Sequence, residues 1–273
     1  MVTRMPQSYV GVWRRRSIEY PDGAADRTTA VYWLQTHALF ADIRVPQPRP
    51  TFNGARRLDA MSVAQLHWLA GQQGFAGVLE SNGERCTWHR HIDFQPQSAA
   101  PDSGRMHWRD DLLIEEGIHT AYREEWEPLE TDSRAVVALR LIDEVSNGVV
   151  QRARRGVWVV VGNYFMCAVD RLRALPNQRA DTLQQLVTNP KTTADEALAS
   201  LDCEISFGVR RGGAHPWEIR LSTLPFREGS ALLEPDAPPI TAERGLYLQT
   251  VPGHGGTLTR RWAVAEFSPD FRW

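Results

Sequence analysis

DGAADRTTAVYWLQTHALF (residues 22–40) and NGVVQRARRGVWVVVGNYF (residues 147–165) carry the same landmarks at the same spacing. Asp22-Gly23 and Asn147-Gly148 are turn dipeptides, followed by Trp33 and Phe40 in one stretch and by Trp158 and Phe165 in the other, all shifted by 125 residues. Farther out, Trp88 and Pro96 recur as Trp217 and Pro225 at an offset of 129, then Gly117 and Trp126 as Gly253 and Trp262 at 136. The offset only grows, as loop insertions make it grow, and the order of landmarks holds. The pattern predicts two tandem copies of one unit, residues 1–130 and 134–273, each of ordinary domain size. The boundary falls near Glu127-Pro128-Leu129-Glu130-Thr131-Asp132-Ser133. That stretch is no long flexible linker, so the two units are expected to pack against each other, with Trp33, Trp88 and Trp126 superposing on Trp158, Trp217 and Trp262.

The elements read as mostly β. Residues 9–18 and 28–45 flank the hairpin signal Pro21-Asp22-Gly23, and residues 74–80 and 86–94 flank Ser81-Asn82-Gly83. Residues 112–116 and 118–127 form a third pair through Gly117; the second copy places strands near 135–145, 149–161, 163–171, 203–210, 217–224, 245–251 and 257–267. The run Val157–Val161 fits a strand buried on both sides or a barrel wall. Ser62 caps a helical segment through Gln72, Thr193 caps Ala194 to Leu201, and Asp181 to Val187 is a further short helix. About seven or eight strands per copy, with one or two short helices, imply two tandem lipocalin/calycin-like antiparallel β-barrels. A β-sandwich is the structural alternative.

Composition bounds the function. The chain has 273 residues, 42% hydrophobic and 23% charged, enough for two cores and without a disorder signature. A net charge of −2 points to no nucleic-acid or membrane partner. Lys191 is the only lysine, which argues against Schiff-base and P-loop chemistry and suggests a GC-rich genome. Cys86, Cys167 and Cys203 are odd in number, widely spaced and lack any CxxC, so neither a disulfide framework nor a zinc site is expected. No stretch approaches the length of a membrane-spanning helix and Met1–Arg16 has no signal-peptide core. The expectation is a cytoplasmic protein without cofactor.

Tyr122-Arg123-Glu124-Glu125-Trp126-Glu127-Pro128 resembles the aromatic-Arg-Glu-x-Trp-x-Pro signature that closes the first half of a fungal family, the kinase-interacting HRI proteins. Phe75-Ala76-Gly77, Glu115-Glu116-Gly117 and Leu141 to Gly148 leading into Val157–Val161 match as well, so the resemblance covers residues 75–170. It implies two fused lipocalin-like barrels and a cytosolic setting for a bacterial relative of unknown function, and it implies no reaction. Gly11-Val12-Trp13 is similar to the Gly-x-Trp that opens lipocalin barrels; the second copy has Val136, Val137 and Ala138 instead.

Comparing the copies sharpens the functional reading. Side chains alternate across a strand, so Trp88, Arg90, Ile92 and Phe94 share one face, opposite His89, His91 and Asp93. The corresponding face of copy two reads Trp217, Ile219, Leu221 and Thr223, which marks it as interior. The same logic sets Trp33, Gln35 and His37 opposite Trp158, Val160 and Gly162, and Tyr122, Glu124 and Trp126 opposite Leu258, Arg260 and Trp262. Barrel one thus presents Gln35, His37, Arg90, Tyr122 and Glu124 where barrel two is mostly apolar. A charge inside a barrel costs several kcal/mol unless paired, so Arg90 is expected to reach Glu124 or Tyr122. That group is either an ion-pair plug or a tryptophan-walled pocket, lined by Trp33, Gln35, His37, Trp88, Arg90, Tyr122, Glu124 and Trp126, that orients a ligand's anionic or carbonyl group.

Other constellations carry less. His89, His91 and Asp93 have metal-ligand character, but their face reads as exterior and no fourth ligand is visible, so no metal is expected. Glu115 and Glu116 point to opposite faces. Gly253-His254-Gly255-Gly256 evokes an oxyanion loop but sits where a hairpin turn is expected. Both prolyl stretches, Pro46 to Pro50 and Glu234 to Pro239, read as extended connections. Three functions remain: a non-enzymatic protein holding a small, mostly apolar ligand in barrel one; an adaptor that binds a protein partner through the barrel exteriors; and an isomerase or cyclase using His37 or Glu124 as base. An interior filled by side chains favours the adaptor.

Overall fold

The structure, a computed structural model, describes residues 6–52, 54–131, 133, 135–151, 154–175, 182–233, 241–243, 246–253 and 256–273. The expected Glu234–Pro239 connection, His254-Gly255 and Asp181 lie outside them. In the first half, β1 (Gly11–Glu19) passes through the Asp22-Gly23 turn and the short β2 (Ala25–Asp26) into β3 (Ala30–Gln35) and β4 (Phe40–Val45). Helix α1 (Val63–Leu69) precedes β5 (Gln73–Ser81), β6 (Arg85–Asp93), β7 (Ser103–Arg109), β8 (Leu112–Gly117) and β9 (Arg123–Glu130). Successive strands pair antiparallel and β9 returns to β1; with β2 only flanking β1, eight strands close a barrel. Sequence reading missed β7. Arg105, His107 and Arg109 face solvent and Gly104 adds no side chain inside, so only Met106 signals burial.

The second half runs through β10 (Val136–Ser146), β11 (Val149–Val150), β12 (Gly156–Val161), β13 (Tyr164–Val169), α2 (Leu183–Thr188), α3 (Ala194–Leu201), β14 (Glu204–Val209), β15 (Glu218–Ser222), β16 (Thr241–Glu243), β17 (Leu246–Gly253) and β18 (Gly256–Phe267). Its sheet order is β15-β14-β13-β12-β10-β18-β17-β16. A second closed barrel is not shown: among the described residues β15 and β16 are not joined. Beyond β15 a short return lies against the sheet, where Ile219 N–H bonds the Ser230 carbonyl and Leu232 N–H the Trp217 carbonyl. Helices α1 and α3 start where their caps predict. Ser62 and Thr193 each form reciprocal capping boxes with Gln65 and Glu196, and Thr182 caps α2.

Registers in the two halves correspond. Trp33 lies across from Trp13 and Asp42, and Trp158 across from Leu139 and Cys167. Trp126 pairs Leu113 and Arg15, as Trp262 pairs Tyr247 and Leu141. A bulge interrupts β5–β6 between Ala76 and Gly77, and another interrupts β14–β15 between Phe207 and Gly208. Only glycine fits there: a Cβ on Gly77 would stand 2.0 Å from the His89 carbonyl oxygen, and one on Gly208 2.1 Å from that of Glu218.

A bulge switches faces along the strand, and this corrects the alternation read from sequence. Trp88 and Arg90 are turned inward, but Ile92 and Phe94 leave that face and pack between the two halves, as Leu221 does in the second. That shared core joins Leu34, Ala41, Ile43 and Val45 of the barrel to Val157, Val159, Val161 and Met166 of the sheet, with Leu69, Leu183 and Leu201 of the helices. Val157–Val161 is buried on both faces, as its uninterrupted apolar run implied, because Trp158 and Val160 face a separate core. Arg171 ties the halves by donating to the carbonyls of Asp93, Phe94 and Ser200. The three cysteines are free and buried, one in each core: Cys86 inside the barrel, Cys203 between the halves and Cys167 on the tryptophan face of the second sheet.

Gly77→Ala is expected to lose at least about 2 kcal/mol of stability, since backbone must move to admit one methyl group. Urea midpoints of this variant and of Gly208→Ala provide the measurement, and an unshifted midpoint for either would contradict the bulge geometry.

Candidate functional site

The barrel interior divides along its axis. Trp13, Trp33, Phe40, Leu79, Trp88, Met106, Leu113 and Trp126 fill one part. Trp33 stacks on Trp13 with centroids 5.8 Å apart and meets Trp126 and Trp88 edge-on at 5.7 and 6.3 Å. The other part is charged. Glu124 on β9 is 1% exposed and its Oε1 accepts from Arg15 Nη1 of β1 at 2.7 Å and Arg44 Nη1 of β4 at 3.1 Å. Arg15 also reaches Asp26, and Arg44 Nε binds Asp42 Oδ1 at 2.9 Å. Glu124 Oε2 is buried with no hydrogen-bond partner.

Across the β8–β9 ladder, Glu115 lies in register with Glu124. Glu115 accepts from the Tyr122 hydroxyl at 2.7 Å and from Trp126 Nε1 at 3.2 Å. Burial and then the neighbouring Glu124 push its carboxyl up to about 8, against the Tyr122 bond. A second carboxylate beside Glu124 is costly to ionise, so Glu115 holds its proton at neutral pH. Burial likewise raises Asp42 and Asp93 in spite of their arginine partners.

Arg90 faces the mouth, its side chain 29% exposed. It binds Asp102 Oδ2 at 2.6 Å and Asp93 Oδ2 at 3.1 Å, and its guanidinium lies 3.6 Å from the Phe75 ring centroid. Arg44 lies over the same ring at 5.1 Å. Outside Arg90 and Asp93 opens a cleft of about 270 Å³ bordered by Gln73, Gln95, Thr182 and Gln184.

A family model described as Protein HRI1 matches residues 11–194. The chain belongs to the HRI1 family. Across 94% of this chain and 98% of the other, the fold is similar to the crystal structure of an uncharacterised protein from Saccharomyces cerevisiae, with a TM-score of 0.53 and 12% identity. No curated protein matches the sequence. The resemblance first carried by residues 122–128 is thus borne out at the level of family.

Of the eight predicted residues, Trp33, Gln35, Trp88, Trp126 and Glu124 line the barrel, while Tyr122 and Arg90 close its charged part. The expected Arg90–Glu124 contact is not formed: the bulge brings Asp93 round to the inner face, where Arg90 pairs with it and with Asp102, leaving Glu124 to Arg15 and Arg44. His37 is not inside either. It lies in the β3–β4 turn, where Nδ1 meets Glu266 Oε1 at 2.6 Å and Nε2 meets Gln7 Oε1 at 2.9 Å. Gln35 accepts from Trp33 Nε1 and donates to the Thr36 carbonyl. His89 pairs with exposed Glu80, while the His91 ring meets Arg140 and its carbonyl accepts from Arg155, both of the second half.

Sequence reading missed Arg15, Asp42, Arg44 and Glu115. Each alternates with an inward aromatic or leucine on its strand: Trp13 with Arg15, Phe40 with Asp42 and Arg44, Leu113 with Glu115. That alternation is a usable signal for all four. Glu115 and Glu116 do point apart, as expected, yet Glu115 meets Glu124 across the ladder instead.

Below the ordinary carboxylate range Glu115 is protonated in both folded and unfolded chains, and its contribution is fully present. As pH rises toward about 8 the unfolded chain ionises first, so stability declines through that window. Glu115→Gln removes this component, leaving the similar ones from Asp42 and Asp93. Its melting temperature should equal wild type near pH 4 and exceed it by at least about 4 °C at pH 8. Identical pH profiles would contradict the protonated Glu115. A double-mutant cycle should give a coupling of roughly 1–3 kcal/mol for Arg44→Met with Glu124→Gln, and about 0.5 kcal/mol or less for Arg90→Met with Glu124→Gln.

Proposed function

We propose that this chain is a non-enzymatic scaffold that binds a protein partner through its outer surface. The observation that carries this reading is the filled barrel: four indoles, two phenyl rings and the ion network of Arg15, Asp42, Arg44 and Glu124 occupy the space a ligand would take. Half-exposed Trp108 over Trp13 at one mouth, and exposed Ile142, Val149 and Val150 on the β10–β11 hairpin, supply apolar outer surface for a partner. Matching registers and bulges in the two halves support an origin by duplication of one calycin-type unit. No helix among the described residues is long and apolar enough to cross a membrane, and the three unpaired thiols fit the cytoplasm.

A second reading keeps a small anionic or carbonyl ligand at barrel one, now at the mouth, because Arg90 borders the 270 Å³ cleft. Native mass spectrometry of freshly purified protein separates the two. The scaffold reading expects the mass of the bare polypeptide. A stoichiometric small molecule retained by wild type and lost from Arg90→Met would overturn it in favour of the ligand.

A further inference from the structure

The tryptophan face of the second sheet is covered by the chain's own segment 268–273. Trp158, Trp217, Trp262 and Phe165 line that face, and Phe271 is buried among them. Trp273 stands 5.5 Å from Trp158, 5.9 Å from Trp217 and 5.3 Å from Tyr247, ring centroid to ring centroid. In the first barrel the place beside Trp33 belongs to Trp13, a residue of the wall itself. At the same register the second sheet has Leu139. The smaller side chain leaves room for an indole, and segment 268–273 brings one in from outside the sheet.

The polar groups around this segment are incompletely matched. In the two tryptophan clusters, the indoles of Trp13, Trp33, Trp126 and Trp262 each donate a hydrogen bond. Those of Trp158 and Trp273 are buried without an acceptor. Arg210 is 8% exposed and donates to the Gly162 carbonyl at 2.9 Å and to the Arg272 carbonyl. Its guanidinium lies 4.3 Å from the Phe271 centroid and 5.1 Å from that of Trp217. Its Nε has no partner, and among the described residues no carboxylate pairs with it. Burial and then the neighbouring Arg211 pull the Arg210 guanidinium down to about 10, against the charge of Glu130. Unpaired buried donors carry a desolvation cost that an acceptor-bearing ligand relieves.

We propose that the tryptophan face of the second sheet is a peptide-binding site whose resident occupant, segment 268–273, is displaced by a partner segment. The fitting partner carries two aromatic side chains spaced as Phe271 and Trp273, with carbonyl or carboxylate acceptors for Arg210 and the free Trp158 indole. The resident segment is the argument for a peptide over a free aromatic molecule: ring insertion and backbone-carbonyl recognition by Arg210 occur together in it. This inference rests on the partner-binding reading, and the two fail separately. A partner held elsewhere leaves that reading intact without this site, whereas a retained small molecule at Arg90 removes that reading and leaves this site to be measured directly.

The probe is a fluorescein-labelled peptide of residues 268–273, Ser-Pro-Asp-Phe-Arg-Trp, titrated by anisotropy. The full chain carrying Phe271→Ala and Trp273→Ala, with folding verified by circular dichroism, should bind it at least tenfold tighter than wild type, whose site is occupied. Adding Arg210→Met should weaken binding to that variant by roughly tenfold or more. A peptide with both aromatic residues replaced by alanine should not bind. Equal or absent binding to the folded variant overturns the proposal. So does indole-3-acetate competing as well as the peptide at equal concentration, which would make this a small-molecule site. If the double variant does not fold, indole hydrogen exchange in wild type decides. Displaceability requires the Trp158 and Trp273 N–H groups to exchange at least tenfold faster than that of Trp262, and equal protection makes the segment a permanent part of the core.

Discussion

The molecule depends on a strip of valines that is dry on both sides. Val157, Val159 and Val161 press against Ala41, Ile43 and Val45 of the barrel wall, while Trp158 and Val160 of the same strand anchor the opposite core. Each buried valine removes apolar surface worth about 1.5–3 kcal/mol from water. A polar residue anywhere along β12 would therefore damage two cores at once. Arg171 adds direction to this non-directional seam, because its three backbone bonds fix where the end of β6 lies against the second half. The position of Asp93, and through it that of Arg90, is inherited from the seam.

The two halves handle interior charge differently on matching ladders. Barrel one places acidic Glu124 beside Trp126 and surrounds it with Arg15 and Arg44. The second sheet places Arg260 at the corresponding position and shares Glu144 between it and Arg154. Glu115, which receives the Trp126 indole, corresponds to Gln249, which receives that of Trp262. The hydrogen bond from the tryptophan is retained, its acceptor is neutral in both halves, and the charge beside it is reversed from Glu124 to Arg260. Buried ion pairs add little net stability, so the networks are better understood as fixing side-chain geometry than as holding the sheets together.

Much of this was legible in the chain. Paired tryptophans reported equivalent register because an indole occupies enough volume to mark its place in a core. The serine and threonine caps reported helix starts because their chemistry is local. What alternation could not report was the glycine bulge: a single extra residue reverses every later face, which is why Ile92 and Phe94 went to the seam and Asp93 came round to pair with Arg90. The missed strand β7 and the unjoined β15 and β16 among the described residues share another cause. Short polar strands and interrupted edges leave little hydrophobic pattern, so their pairing is set by neighbours distant in sequence.

The three cysteines turn this architecture into a built-in clock. Burial pushes the thiol of Cys86 up to about 11 and those of Cys167 and Cys203 to about 12, so none supplies thiolate in the native state at neutral pH. An alkylating reagent can reach each sulfur only when its own core opens. Because the three sulfurs sit in three different cores, the order in which they are modified is the order in which the barrel, the seam and the second sheet come apart. One mass spectrum per time point then reads the cooperativity of the whole chain without any engineered label.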